Sequence, residues 1–139
     1  MYYINSIMKN TIFKILKYSY YFSLVSLFVL YLFPGSLIGY FLYGNLGQQP
    51  DLIPNPIGTS INHLISFTCL SSLAFIMRVR KRKCINSFQF LFFTSILLEI
   101  LHCFIPNRAF EYYYLFANCI GIVLTYLLIQ LILKNINKN

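Results

Sequence analysis

Of 139 residues, 58% are hydrophobic and 19% aromatic, only 10% carry charge, and the mean hydropathy is +0.67. A soluble domain of this size could not cover so much apolar surface, so a bilayer is the natural solvent. The formal charge of +8 has no nucleic-acid or aromatic motif beside it, which excludes a nucleic-acid partner and makes the charge a matter of membrane topology.

The expected fold class is all-α: an integral membrane four-helix bundle forming one domain over 1–139, with helices near 12–33, 60–77, 86–105 and 112–133. Each stretch is long enough to cross about 30 Å of hydrocarbon, which takes roughly 20 residues. Lys9, Lys14 and Lys17 precede the first apolar run. That run is long and no small-x-small cleavage site follows Phe33, so a retained helix is expected rather than a cleaved leader. Ser19, Ser23 and Ser26, at i, i+4, i+7, form a stripe suited to close helix packing.

Between the first and second helices, Pro34 to Thr59 contains every proline but Pro106 and every glycine but Gly121, so it is expected to be an outer loop. Within it, Leu37 to Tyr43 is apolar but too short to span. It is expected to dip into the interface or form a short half-helix over the bundle, as a lid or as a plain connector. Arg78 to Lys83 is a basic loop that stops transfer and could also attract anionic headgroups. Cys69, Cys84, Cys103 and Cys119 form no C-x-x-C pair and are expected to be small packing residues.

Orientation follows from the basic residues. Ten of the eleven, all but Arg108, fall on one side: three before the first apolar run, five from Arg78 to Lys83, and Lys134 and Lys138 after the last helix. The three acidic residues, Asp51, Glu99 and Glu111, belong to the other side. The positive-inside rule therefore predicts N- and C-termini in the cytoplasm.

The third helix carries ionisable residues inside its apolar run. Glu99 is placed roughly 9 Å and His102 roughly 5 Å below its outer end. At i, i+3 they share a face, which Ser95 extends. His63 on the second helix and Asn118 on the fourth fall at the same two depths, about 5 and 9 Å. Arg108 and Glu111, after Pro106, are expected to cap this cluster. On the last helix, Asn118, Gly121 and Thr125 form a stripe, and the glycine would permit close approach of a partner helix.

The run Glu99-x-x-His102-x-x-x-Pro106-Asn107-Arg108-x-Phe110-Glu111, followed by Asn118-x-x-Gly121, resembles the VanZ-like membrane protein family. In outline, that family shows Glu-x-x-Gln, a Pro-Gly/Asn-Arg turn, acidic residues, then Asn-x-x-Gly opening the last helix. His63, with Phe67 four residues on, matches the family's histidine in the preceding helix. The resemblance is strongest over 59–125, and most specific from Arg108 to Gly121. The chain departs from the pattern at Thr59 and Ser60, where an Asp-Lys pair is usual, at His102 for Gln, at Tyr114 for Asp, and at Thr125 for a second Gly. The resemblance implies a multi-pass protein of the bacterial cytoplasmic membrane; the family's namesake is associated with teicoplanin resistance.

A carboxylate at the depth of Glu99 is costly unless His63, His102 or Arg108 pairs with it. Two function classes follow. One is an envelope protein binding an outer-leaflet lipid or glycopeptide-type ligand through Arg108, Glu111 and Asn118, and influencing antibiotic susceptibility. The other is a small outer-leaflet enzyme using Glu99 with His63 or His102 as acid and base. Against both stands a purely structural use of these groups, as hydrogen bonds between helices. Glu99-x-x-His102 is also the spacing of a helical metal half-site, but no second half-site accompanies it, so neither a metal nor another cofactor is expected.

Overall fold

The computed structural model describes the backbone of residues 2–51, 53, 58–80 and 84–136, with side chains omitted at 2–9, 79, 80, 84 and 136. These residues are all-helical: α1 (Tyr2–Leu32), α2 (Leu37–Tyr43), α3 (Ser60–Arg80), α4 (Phe88–Leu101) and α5 (Tyr112–Ile136), with 3-10 turns at Cys84–Asn86 and His102–Phe104. Lys81, Arg82, Lys83 and Lys138, which contribute to the expected orientation, lie outside the described residues, as do Pro54 and Pro56.

Asn10–Leu32, Ser60–Arg78 and Tyr112–Asn135 are long and apolar enough to cross a membrane. The expected helix over 86–105 is broken at both ends. Ser87 caps α4 by accepting from the Phe90 N–H, and at the far end the chain tightens into a 3-10 turn at His102. What remains is 14 residues, about 21 Å of helix, which is short of a full crossing. Conversely, α1 begins ten residues before the expected start, because Lys9 and Asn10 flank the apolar run without interrupting a helix.

The inward face of α1 is Tyr20, Leu24, Leu27 and Tyr31, a helical i, i+4, i+7, i+11 stripe. It packs with Phe67, Leu70 and Ala74 of α3, Leu91 and Leu98 of α4, and Ile122 of α5. Ser19, Ser23 and Ser26 flank this face, half-buried, rather than forming it. The Tyr20 hydroxyl donates to the Ile85 carbonyl and ties α1 to the first 3-10 turn.

The closest pairing is between α3 and α5, and Gly121 makes it possible. A Cβ there would stand 2.7 Å from the Leu64 carbonyl oxygen and 2.9 Å from Thr68 Oγ1. Thr125 Oγ1, one turn on, donates to the Gly121 carbonyl at 2.9 Å.

Outward faces are apolar: Phe22 is 74% exposed and Phe104 77%, while Ser71, Ser95, Glu99 and Asn118 are completely buried. Large exposed hydrophobics, with buried polar side chains inside beside the apolar core, suit lipid surroundings. Cys69 and Cys103 are exposed on this surface and Cys119 is half-buried; all three are free thiols. The expected packing role therefore does not hold for Cys69 and Cys103.

The expected short half-helix is α2, with the same bounds. Ser36 Oγ accepts from the Gly39 N–H at 2.9 Å and the chain leaves through Gly44 at φ 66°. The segment then folds back so tightly that a Cβ on Gly39 would meet the Gln48 carbonyl oxygen at 1.6 Å. Between α4 and α5, the Arg108 N–H donates to the Ile105 carbonyl at 3.2 Å. Pro106 and Asn107, the latter at φ 58°, occupy the central positions, the pattern of a type II turn. Asn or Gly is favoured at the second of these because a positive φ strains other side chains.

Candidate functional site

Tyr31, near the end of α1, organises the cluster. Its hydroxyl lies 2.5 Å from His63 Nδ1 and donates to Asn118 Oδ1 at 3.0 Å. A tyrosine hydroxyl has a single proton. With that proton directed to Asn118, His63 Nδ1 carries the hydrogen of its own bond to Tyr31, which leaves Nε2 as the acceptor of the ring. The imidazole of His63 stacks on Tyr114, centroids 4.1 Å apart and 13° from parallel. Tyr114 Oη in turn meets Thr59 Oγ1 at 2.6 Å. Thr59 and Tyr114 are thus bonded to each other.

A second group is built around the backbone of Tyr31. His102 Nε2 donates to the Tyr31 carbonyl at 3.1 Å, and the two rings stack at 5.4 Å. On its other side, His102 Nδ1 faces Glu99 Oε1 at 3.4 Å. The same Glu99 oxygen accepts the Glu111 backbone N–H at 3.1 Å. Of the histidines named as partners for Glu99, the structure therefore supplies His102, while His63 belongs to the Tyr31 hydroxyl. Glu99 Oε2 and Asn118 Nδ2 are buried without a hydrogen-bond partner among the described residues.

Arg108 reaches from the type II turn across to α1, where Nη2 donates to the Leu30 carbonyl at 2.7 Å and Nε to the Phe33 carbonyl at 3.3 Å. Together with His102 on the Tyr31 carbonyl, it satisfies acceptors that the end of a helix leaves open. A cation there also suits the helix dipole. Burial lowers the pKa of this guanidinium below its ordinary value, while Tyr31, Glu99 and Tyr114 push it back up. It stays charged at neutral pH, as arginine does.

Beside Arg108 is a cavity of about 90 Å³ between the end of α1, α2 and the start of α3, walled by Tyr31, Ser36, Asn62, His63, Ser66 and Arg108, with Leu37 and Ile38 of α2 above. Asn62 is fixed by donating to the Pro50 carbonyl at 2.8 Å. His63 and Arg108, of the expected site residues, line this space; Glu99, His102 and Asn118 lie in the packed interior, and the Glu111 side chain is exposed. Among the described residues, no group of three His, Cys, Asp or Glu side chains comes together as a metal site.

Tyr31 is the functional residue that sequence patterning missed. It sits in an uncharged apolar run, and its only signal is that an interior tyrosine needs a partner for its hydroxyl. Comparison with family models, with curated proteins and with solved structures finds no match to this chain.

Proposed function

We propose that the chain is a multi-pass protein of the bacterial cytoplasmic membrane, resembling the VanZ-like family, with both termini cytoplasmic and α4 as the short fourth member of the bundle. In this reading its outer end binds a cell-envelope lipid headgroup or a glycopeptide-type ligand and so influences antibiotic susceptibility. The observation that carries this reading is the roofed cavity. Its wall combines a guanidinium, an imidazole and an amide under α2, a few convergent polar groups in a concave and otherwise apolar setting. Ser66→Leu tests it by filling the cavity without removing the bonded groups around it. Small molecules that copurify with the native protein, identified by mass spectrometry, should be lost from this variant. An unchanged complement in the two proteins defeats the proposal. The orientation has its own check, since a reporter fused after Lys138 must read as cytoplasmic.

The adjacency of Glu99 and His102 at 3.4 Å favours a second reading, a small outer-leaflet enzyme with this pair as acid and base. Glu99→Gln keeps size and hydrogen bonding but removes the titrating group. Survival of the cellular phenotype at normal protein levels rules that reading out.

A further inference from the structure

The opposite end of the bundle contains a larger and quite different space. A groove of about 790 Å³ runs between α3, α4 and α5, bordered by Arg78, Phe88, Gln89, Phe92, Tyr126 and Gln130. Its lining on α5 extends from Ile122 to Leu133, about 16 Å along the helix axis. The deeper part is walled by phenylalanines and aliphatic residues, and the polar side chains Arg78, Gln89 and Gln130 belong to the ends of their helices that share the basic side.

Arg78 is the telling residue. It is half-buried at the end of an apolar span, and its Nη1 is buried with no hydrogen-bond partner among the described residues. A buried guanidinium nitrogen calls for an acceptor, and a charge in such a place calls for a counter-ion. The chain cannot supply a side-chain carboxylate. Its only acidic residues are Asp51, Glu99 and Glu111, and all three belong to the α1–α3 connection or the α4–α5 junction, at the far end of these helices. After Val79 the sequence continues with Arg80, Lys81, Arg82 and Lys83, which add positive charge and no anionic side chain.

We propose that this groove binds an anionic diacyl phospholipid from the leaflet on the basic side of the bundle, its phosphate on Arg78 and one acyl chain along Phe88, Phe92 and Val123. Arginine is suited to this task because its planar donors match phosphate oxygens two at a time. Gln89 and Gln130 add uncharged donors beside the headgroup. The site is independent of the outer-end cavity and of any ligand bound there.

The test uses the full chain purified in detergent. Native mass spectrometry and thermal melting are followed with dioleoyl phosphatidylglycerol, with dioleoyl phosphatidylcholine, and with inorganic phosphate. Phosphatidylglycerol should bind and raise the melting temperature, with at least tenfold preference over phosphatidylcholine, and phosphate alone should do neither. Arg78→Gln should lose that tenfold preference. Gln89→Trp, at an exposed position that leaves Arg78 in place, should block the groove and abolish binding of either lipid there. Lys134→Gln, which removes a charge at the same end without lining the groove, should leave affinity within twofold. Equal binding of the two lipids, equal stabilisation by phosphate alone, or undiminished phosphatidylglycerol binding in a folded Arg78→Gln or Gln89→Trp protein would overturn the proposal.

Discussion

Tyr31 and Arg78 are each polar groups carried into an apolar helix, yet the two ends of the bundle treat them in opposite ways. At the Tyr31 end, side chains from α1, α3, α5 and the α4–α5 connection close on one another, and most polar atoms find a partner inside the chain. At the Arg78 end, the helices leave a groove lined by Arg78, whose Nη1 is buried without a hydrogen-bond partner among the described residues. The density of interhelical bonds makes the first end a structural lock with a small pocket beside it, even though Glu99 Oε2 and Asn118 Nδ2 have no partner there among the described residues. The groove, with no such bonds across it among those residues, makes the second end cheap to perturb and open to a ligand.

This contrast can be tested by substitution, and the closed end should respond most. Gly121→Val places side-chain atoms against the backbone of Leu64 and Thr68. The helices must separate, and a loss of about 3 kcal/mol is expected, measured as reduced resistance to thermal unfolding in detergent. Tyr31→Phe removes the shared hydroxyl and leaves His63 Nδ1 and Asn118 Oδ1 without their partner, for about 1–3 kcal/mol. If that variant melted like the native protein, the Tyr31 hydroxyl would not be the keystone described above. Arg108→Ala frees the Leu30 and Phe33 carbonyls and should cost about 2 kcal/mol, with Arg108→Lys recovering part of this, because an ammonium reaches fewer acceptors at once. Glu99→Gln should cost under about 1 kcal/mol, provided the amide oxygen takes over the bond from the Glu111 N–H. In lipid-free detergent, Arg78→Gln should fall within about 0.5 kcal/mol of the native protein. A loss as large as that of Tyr31→Phe would erase the distinction between the two ends.

Much of this arrangement was legible in the sequence because hydropathy reports where a helix can cross, and small residues report where helices can touch. The spans of α3 and α5 and the close approach at Gly121 follow from those rules, and so does α2, bounded by Ser36 and Gly44. The shortening of α4 was not visible, since the tightening at His102 depends on an acceptor, the Tyr31 carbonyl, 71 residues earlier in the chain. The division of labour in the polar cluster was hidden for a similar reason. Depth along a helix places Glu99, His63, His102 and Asn118 in two layers but cannot say which ring faces which oxygen. Arg108 is expected from the sequence to cap the cluster, but not to bond to the end of α1. Its bonds to the Leu30 and Phe33 carbonyls follow the Pro106–Asn107 turn, a direction that a linear pattern does not encode.

The capping of α1 by Arg108 also bears on assembly. Synthesis produces the end of α1 some 75 residues before the side chain that satisfies it. Until the α4–α5 connection arrives, the Leu30, Tyr31 and Phe33 carbonyls must find water or headgroups, which holds that end of the helix at the membrane boundary. Docking of the late connection would then release those contacts and draw α1 into register with its neighbours. α1, made before the groups that hold its end, is in this sense anchored late, and a chain stalled before Arg108 should show a loosely held α1 open to protease at Phe33.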